Sequence, residues 1–497
     1  MRFCSQGLKG LITALLGLTA ISQVLAAPSA QNDRLNRRGH SDSASTLRSP
    51  AAIYNNTLIP QRADPQILKH SDGYYYFIAT VPAYDQVVLR RAPTIQELSD
   101  AEEVVIFTAY ESGPGSGQVW APELHRIDDK WYVYVALGVA GAWEIRASVL
   151  EGTGDNPLEA VWEDKGRLET NWDTFSLDMH YFEAAGQRYL AWAQNDPTWG
   201  DSNTAIFIAP IIDPLTIQLP AVAISYPDLP WERIGFNVNE GAWVIKRNGR
   251  IFLTYSASAT DHNYQMGLLS APEDADLLDP SVWTKSQEPI FVSNEETNQW
   301  GPGHSSFTVS EDGLSDILVY HDRGYKEIDG DPLGDPNRRT RVQKLYWRED
   351  GAPDFGVPVP DGLTPVRLRL AADESLYVRN LGVDEQVTVA GGVPVQETQF
   401  RIVSPGLAGD GTVSLEATTL PGRYLRRTAE DTVIVAAGDD DVFVRDASFA
   451  QVDGLADEAG LSFLAAEGQY LTVGEDNALI VAAVPDEDGK LATFYTE

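Results

Sequence analysis

Apolar and polar positions alternate along this chain in short, aromatic-rich runs, each entered through a polar turn. Five such segments stand out: Asp72-GYYYFIAT, Asp129-KWYVYVAL, Gly186-QRYLAWAQ, Asn248-GRIFLTYSAS and Ser315-DILVYHDR. A second short run follows each of them: Val87-LRRA, Glu144-IRASV, Thr204-AIFIAP, Gln265-MGLLSAP and Arg341-VQKLYW. A period of two marks β-strands, and helical periodicity is scarce. The five turns start 57, 57, 62 and 67 residues apart. Several short strands per unit at a period near sixty residues predict the blades of a β-propeller. Five units between residues 52 and 350 predict a five-bladed ring. A β-sandwich is the alternative, but it leaves the placement of the acidic residues unexplained.

That placement carries the first chemistry. Asp64 lies eight residues before the first turn, Asp178 eight before the third and Glu240 eight before the fourth. Carboxylates at equivalent strand positions of a circular repeat converge in space. Hydrolysis of a glycosidic bond with inversion needs such a set. One carboxylate activates water and a second, protonated carboxyl protonates the leaving oxygen, the two standing roughly 6.5–9.5 Å apart. A third acidic group raises the pKa of the acid through like-charge repulsion.

Beyond residue 350 the composition changes. All twelve tryptophans fall between Trp120 and Trp347, and the Pro/Gly-rich stretch Gly351-APDFGVPVPDGLTP reads as a linker over 351–364. The remainder, 365–497, has a repeat of its own. Leu376-YVRN, Arg423-YLRR and Gln469-YLTV recur at about 46-residue spacing, as do Gln399-Phe400, Ser448-Phe449 and Thr493-Phe494. Three all-β units of which none could bury its apolar face alone predict a β-trefoil. The expected fold class is therefore all-β, a five-bladed β-propeller followed by a β-trefoil.

A formal charge of −35 argues against nucleic acid and anionic membrane surfaces as partners, both of which call for basic patches. It would also repel acidic polymers, which leaves a neutral partner. At the N-terminus, Arg2 and Lys9 precede the apolar run Leu11 to Leu25, and Val24-Leu25-Ala26 supplies small residues for cleavage. Residues 1–26 thus read as a secretory signal, followed by a polar, processed or disordered segment over 27–51. The one cysteine, Cys4, lies inside that signal, so the mature chain has no disulfide and depends on packing. Asn55-Asn56-Thr57 is the one glycosylation sequon.

The stretches Arg62-ADPQ, Trp120-APELH, Ser176-LDMHYF, Asn239-EGAW and Gly301-PGHSSF resemble family 43 glycoside hydrolases, five-bladed β-propellers acting with inversion. The resemblance implies Asp64 as general base, Glu240 as general acid and Asp178 as pKa modulator. Met179 departs from the proline that many members carry there. It implies no required cofactor, and it admits a structural calcium at His304 in the central channel, although calcium prefers oxygen ligands. Arg323 matches a basic position that in relatives reaches sugar hydroxyls. Sugar rings stack on aromatic faces, which makes Trp120, Trp172, Trp199 and Trp300 candidates for the cleft. The C-terminal region resembles the arabinose-binding trefoil of family 42 carbohydrate-binding modules, with Asp446 at the sugar-accepting position of the middle unit. Glu397 and Leu491 stand at the equivalent positions of the other two units.

Together these readings anticipate a secreted, monomeric, inverting glycosidase that releases α-L-arabinofuranose from arabinan, by exo attack on 1,5 linkages, or from arabinose-decorated hemicellulose. Its partner would be a neutral, arabinose-containing plant polysaccharide. A β-xylosidase is the enzymatic alternative, because the same trio serves both sugars. A non-catalytic polysaccharide-binding propeller is the other, although binding alone gives no reason to keep all three carboxylates.

Overall fold

The computed structural model describes residues 51–200, 203–465 and 468–497. The segments read as a secretory signal and its polar extension, up to residue 50, lie outside the described residues.

The five aromatic runs are the second strands of five four-stranded antiparallel blades, the third blade carrying an extra edge strand. The innermost strands are Ala63–Lys69, Pro114–Ile127, Ser176–Ala184, Asn239–Arg247 and Trp300–Val309. They contact one another in ring order around a central channel, the last against the first. Because each blade is covered on both faces, side chains on both faces of its second strand can be buried. Tyr75–Thr80 and Asp316–Arg323 are buried at every position. Each of the five blade–blade interfaces holds its own apolar cluster. Phe77 and Tyr75 meet Ile317 and Val319 where the last blade meets the first. Trp131 and Val133 meet Tyr76 and Leu89 in the next interface, and Trp192 and Phe207 meet Tyr134 and Val149 in the one after. Burying one such side chain contributes about 1.5–3 kcal/mol.

Every inner strand breaks register at the same height. The ladder slips between Ala63 and Gln66, Trp120 and Glu123, Leu177 and His180, Glu240 and Trp243, and Gly303 and Ser306. At each slip one residue has a left-handed backbone: Asp64 (φ 54°), Ala121 (43°), Asp178 (56°), Gly241 (61°) and His304 (47°). The common eight-residue spacing therefore does not mean common phase. Asp64 and Asp178 occupy equivalent bulge positions, but Glu240 stands one residue before its bulge. The count masks the offset because it starts at the second residue of the two-residue turn in the third blade, Gly186 between Ala184 and Gln187, and at the first in the fourth, Asn248 between Arg247 and Arg250.

The ring closes through the segment ahead of the first blade. Ile59 and Thr340 exchange backbone hydrogen bonds of 3.3 and 2.8 Å. The buried Asn56 side chain donates to Val342 O (2.7 Å) and accepts from Val342 N–H (3.0 Å), like a backbone rung. The stretch read as a linker is also fixed. Pro353–Asp354 forms the outer strand of the last blade, Gln343 Nε2 donates to Phe355 O (3.0 Å), and Gly362 pairs with Asn56.

Past it stands an all-β unit whose twelve short strands form one sheet. Its three repeats supply equivalent core residues: Val378, Leu425 and Leu471, and Phe400, Phe449 and Phe494. Three hairpins meet at one end, where Val387 N–H donates to Val433 O (2.8 Å), Leu479 N–H to Val387 O (2.9 Å) and Val481 N–H to Asp431 O (2.8 Å).

Replacing Asn56 with alanine leaves a buried N–H and a buried C=O of Val342 without partners. Equilibrium denaturation followed by tryptophan fluorescence should show a loss of roughly 2–4 kcal/mol. A loss below about 0.5 kcal/mol, the scatter of ordinary surface substitutions, would mean that the closure does not depend on this side chain.

Candidate active site

At the bulges, backbone N–H groups that have left their own ladders turn to the preceding blade. Asp64 N–H donates to His321 Nδ1 (3.0 Å), Ala121 N–H to Thr80 Oγ1 (2.7 Å), and His304 N–H to Ser256 Oγ (2.8 Å). His321, Thr80 and Ser256 all sit on second strands, opposite the residue before a bulge. In the third blade that position is Ala193, which offers no acceptor. Gly241 N–H donates instead to the carboxylate of Asp178 itself, at 2.9 Å. A Cβ on Gly241 would stand 3.2–3.3 Å from the His304 ring, and its φ is positive, so both the space and the backbone call for glycine.

Asp64, Asp178, Glu240 and His304 line one cavity of about 530 Å³, with Arg338 and Tyr264. Asp64 is buried. One carboxylate oxygen accepts from Arg338 Nη1 (3.1 Å) and lies 3.3 Å from His304 Nδ1; the other accepts from Thr80 Oγ1 at 2.6 Å. Burial alone would raise its pKa, but the opposing charge of Arg338, with His304 behind it, holds the carboxyl well below the usual range. Against Asp178 the charge of Arg338 and the Gly241 N–H act only weakly. Burial, then repulsion from Glu240 and from Asp64, push it well above its usual value. Glu240 is raised to about 7, chiefly by burial and secondarily by Asp64, against the lowering effect of the Tyr264 hydroxyl. That hydroxyl donates to Glu240 Oε1 at 2.8 Å, and its ring stacks on His321 with centroids 5.6 Å apart. Gly303 makes room for it, since a Cβ there would fall 2.4 Å from the Tyr264 ring.

One wall of the cavity is apolar, with Trp120, Trp143, Phe175, Phe236 and Leu333. Trp120 and Trp143 meet edge to face, and Trp143 stacks on Phe175. Of the four tryptophans expected at the cleft, Trp120 lines it and the other three do not. Trp172 packs on Phe207, Trp199 on Tyr226, and Trp300 lies near His262. Arg323 does not line the cavity either. Its guanidinium donates to Thr260 O (2.6 Å) and Pro332 O (2.9 Å) and lies against Asp335, so it braces the loop that ends in Arg338. Arg338 is the basic group at the acidic centre, and the sequence reading missed it. The only signal was three arginines within four residues, at 338, 339 and 341, in a strongly acidic chain. Tyr264 and His321 gave none, because their roles depend on contacts between blades.

A calcium at His304 finds a poor donor set. Calcium takes six to eight oxygens, whereas His304 Nδ1 faces Asp64 Oδ1, already engaged by Arg338, and Asp178 Oδ2 at 3.9 Å. Asp446, in the C-terminal unit, lies at the end of the short helix Asp441–Asp446 and accepts from Arg445 Nε at 2.9 Å. At the equivalent positions Glu397 pairs with Arg379, and Leu491 packs on the core.

Comparison with known proteins agrees with this architecture. Residues 54–353 match the family described as "Glycosyl hydrolases family 43". Residues 367–491 match the "Alpha-L-arabinofuranosidase B (ABFB) domain", which refines the resemblance to family 42 modules. "Alpha-L-arabinofuranosidase 43" of Humicola insolens is 60% identical over 460 residues, 90% of this chain and 96% of that protein. "Extracellular exo-alpha-(1->5)-L-arabinofuranosidase" of Streptomyces avermitilis is 50% identical over 417 residues, 84% of this chain and 86% of that protein. The crystal structure of an alpha-L-arabinofuranosidase from Lactobacillus brevis superposes with a TM-score of 0.61 at 49% identity, covering 62% of this chain and 98% of that one.

Arg338→Gln removes the cation that offsets the burial of Asp64. The acid limb of the pH–activity profile on an aryl glycoside should then move to higher pH, because the carboxyl protonates more readily. An unmoved acid limb would assign the low pKa of Asp64 to its hydrogen bonds instead.

Proposed function

The chain belongs to the family 43 glycosyl hydrolases, and from that premise we propose that it is a secreted, inverting α-L-arabinofuranosidase. Its substrate is arabinan, attacked from chain ends at α-1,5 linkages, or arabinose-decorated hemicellulose. The observation that carries this reading is the divergence of pKa among three carboxylates lining one cavity. Asp64 is held ionised while Glu240, raised to about 7, keeps its proton in mildly acidic solution. Two carboxyl groups driven apart in this way make a base and an acid. The choice of sugar rests on the relatives, which are named arabinofuranosidases over most of this chain's length. Secretion rests on the signal-like N-terminus and on the Streptomyces proteins named extracellular.

In this mechanism Asp64 takes a proton from the attacking water. Arg338 and Thr80 fix its two oxygens and keep it ionised. Glu240 gives its proton to the glycosidic oxygen as the bond breaks. Because Tyr264 donates to Oε1, the proton of Glu240 is left for Oε2. Asp178 does not touch the leaving group. It holds the Gly241 N–H next to Glu240, and the two buried carboxyl groups repel each other when both are ionised. No step is assigned to a metal ion.

The C-terminal unit is proposed as a β-trefoil over 365–497 that binds arabinose through its middle repeat. The propeller would occupy 52–350 and the connecting stretch 351–364. The three equivalent hairpins and core phenylalanines support that fold. Glu397 is engaged by Arg379 and Leu491 is apolar, which leaves Asp446 as the acceptor.

The pH dependence follows from the assigned roles. Activity should decline as pH rises through about 7, where Glu240 loses its proton. Since the Tyr264 hydroxyl lowers that pKa, Tyr264→Phe should move the alkaline limb to higher pH. An alkaline limb that moves down or stays would remove Tyr264 from control of the acid. Glu240→Ala should lower kcat/KM by ~10²–10⁴ on natural linkages and far less on aryl arabinosides, which need little protonation; equal losses would sink the acid role.

Asp446→Ala should halve retention on insoluble arabinan, or weaken it further, with hydrolysis of small arabinosides unchanged. Unchanged retention would make the unit structural. The reading as a whole is tested by NMR on linear α-1,5-arabinan, arabinoxylan and xylo-oligosaccharides. Arabinose should appear first as the β-anomer; xylose would indicate a β-xylosidase, and no released sugar a binding propeller.

A further inference from the structure

Below the bulges, three residues that the catalytic reading does not use converge in the channel wall. Glu123 and His125 lie two apart on the inner strand of the second blade, which puts them on one face. His180 comes from the inner strand of the third. Glu123 Oε2 lies 2.9 Å from His180 Nδ1 and 3.1 Å from His125 Nε2. One ligand atom from each of the three lies within 4.8 Å of the others. Their exposures are 4%, 9% and 3%, so an aqueous carboxylate and two aqueous imidazoles have been given up to build the cluster. None of the three lines the cavity described above.

The cluster has an odd balance of charge. Burying a carboxylate is costly unless a cation pairs with it, yet Glu123 has no arginine or lysine partner among the described residues. Its two ion-pair partners are imidazoles. Each ring turns one nitrogen toward Glu123 Oε2, and an imidazole nitrogen that carries no proton has a lone pair to give. The Trp243 ring packs over His180 with centroids 4.1 Å apart and fixes its orientation. Two imidazoles and one carboxylate make a donor set for a borderline transition ion rather than for calcium. Ligands at zinc bond lengths of about 2.0–2.1 Å stand about 3.3 Å apart in a tetrahedron. The two contacts to Glu123 are within a few tenths of an ångström of that.

We propose that Glu123, His125 and His180 form a structural binding site for a divalent first-row transition ion, zinc foremost, tying the second and third blades together inside the channel. The site stands apart from the catalytic assignment, so either can fail without the other.

The test uses the full chain, stripped with a chelator and equilibrated with Zn²⁺ alone in high salt, which suppresses adventitious binding to the acidic surface. About one equivalent of zinc should remain per chain by elemental analysis, and the unfolding midpoint should rise. Calcium at the same concentration should not compete. Co²⁺ in place of zinc should give visible d–d bands of four-coordinate character. His125→Gln should weaken zinc binding by more than tenfold, with Glu123→Gln as a second variant in case the first does not fold. No retained zinc in the wild-type chain, or equal retention in wild type and a folded variant, would overturn the proposal and leave a buried glutamate hydrogen-bonded to two histidines.

Discussion

Each inner strand breaks its ladder at one height, and at the break a single residue turns left-handed. Where the freed N–H finds a partner on the preceding blade, the bulge also ties two blades together, through His321, Thr80, Ser256 or Asp178. A left-handed residue costs ~1–3 kcal/mol when it is not glycine, and aspartate and histidine tolerate it better than β-branched residues do. The ring contains two aspartates, a histidine, an alanine and a glycine, and no β-branched residue. The backbone constraint and the chemistry thus select the same residue types. The carboxylates are near one another because the bulges are, and the bulges are at one height because the blades are copies.

Symmetry of the backbone does not make the carboxylates alike. The asymmetry comes from loops that the repeat does not share. The loop from 324 to 338 brings Arg338 to Asp64, and Arg323 and Asp335 brace it. The turn at 261–264 brings Tyr264 to Glu240. One carboxyl receives a full positive charge and the other a neutral hydroxyl, in surroundings where burial would raise both. At low dielectric that difference is enough to leave one ionised and the other protonated. The apolar wall of Trp120, Trp143 and Phe236 keeps the dielectric low and offers flat surfaces to a sugar ring.

What was legible in the sequence follows from this division. Second strands are set by local sequence, and their aromatic runs announced five blades. Asp64 and Asp178 could be found by counting because they sit on that repeat. Glu240 was found by the same count although it is one residue out of phase, because the count starts at the first turn residue, Asn248, in its blade and at the second, Gly186, in the third. Arg338, Tyr264 and His321 act across blades from non-repeating segments, so no periodicity could find them. Arg323 was chosen because it matches a basic position of the resembled family; in the structure it braces the loop behind the site. The tryptophans were chosen by proximity in sequence, and in a ring of blades proximity in sequence says little about which side of a sheet a residue faces.

The stretch after the propeller was read as a linker from its prolines and glycines, and here composition misled. Asp361 accepts from Arg339 and Arg341, whose other partner is the fully buried Asp322. Removing the chain from 361 onward would leave two guanidinium groups sharing one buried carboxylate, an uncompensated charge of the kind that destabilises strongly. Glu497, at the far end of the chain, lies 3.8 Å from Lys344 and accepts from Tyr377, while Arg367 covers the Tyr346 ring. The connecting stretch and the second unit are therefore held to the last blade by ion pairs and ring contacts rather than merely tethered to it. A polysaccharide held on its middle repeat would be held at a fixed distance from the cavity. Effects of truncation on activity consequently cannot be read as effects of lost binding alone, whereas a point change at Asp446, remote from these ion pairs, leaves the junction intact.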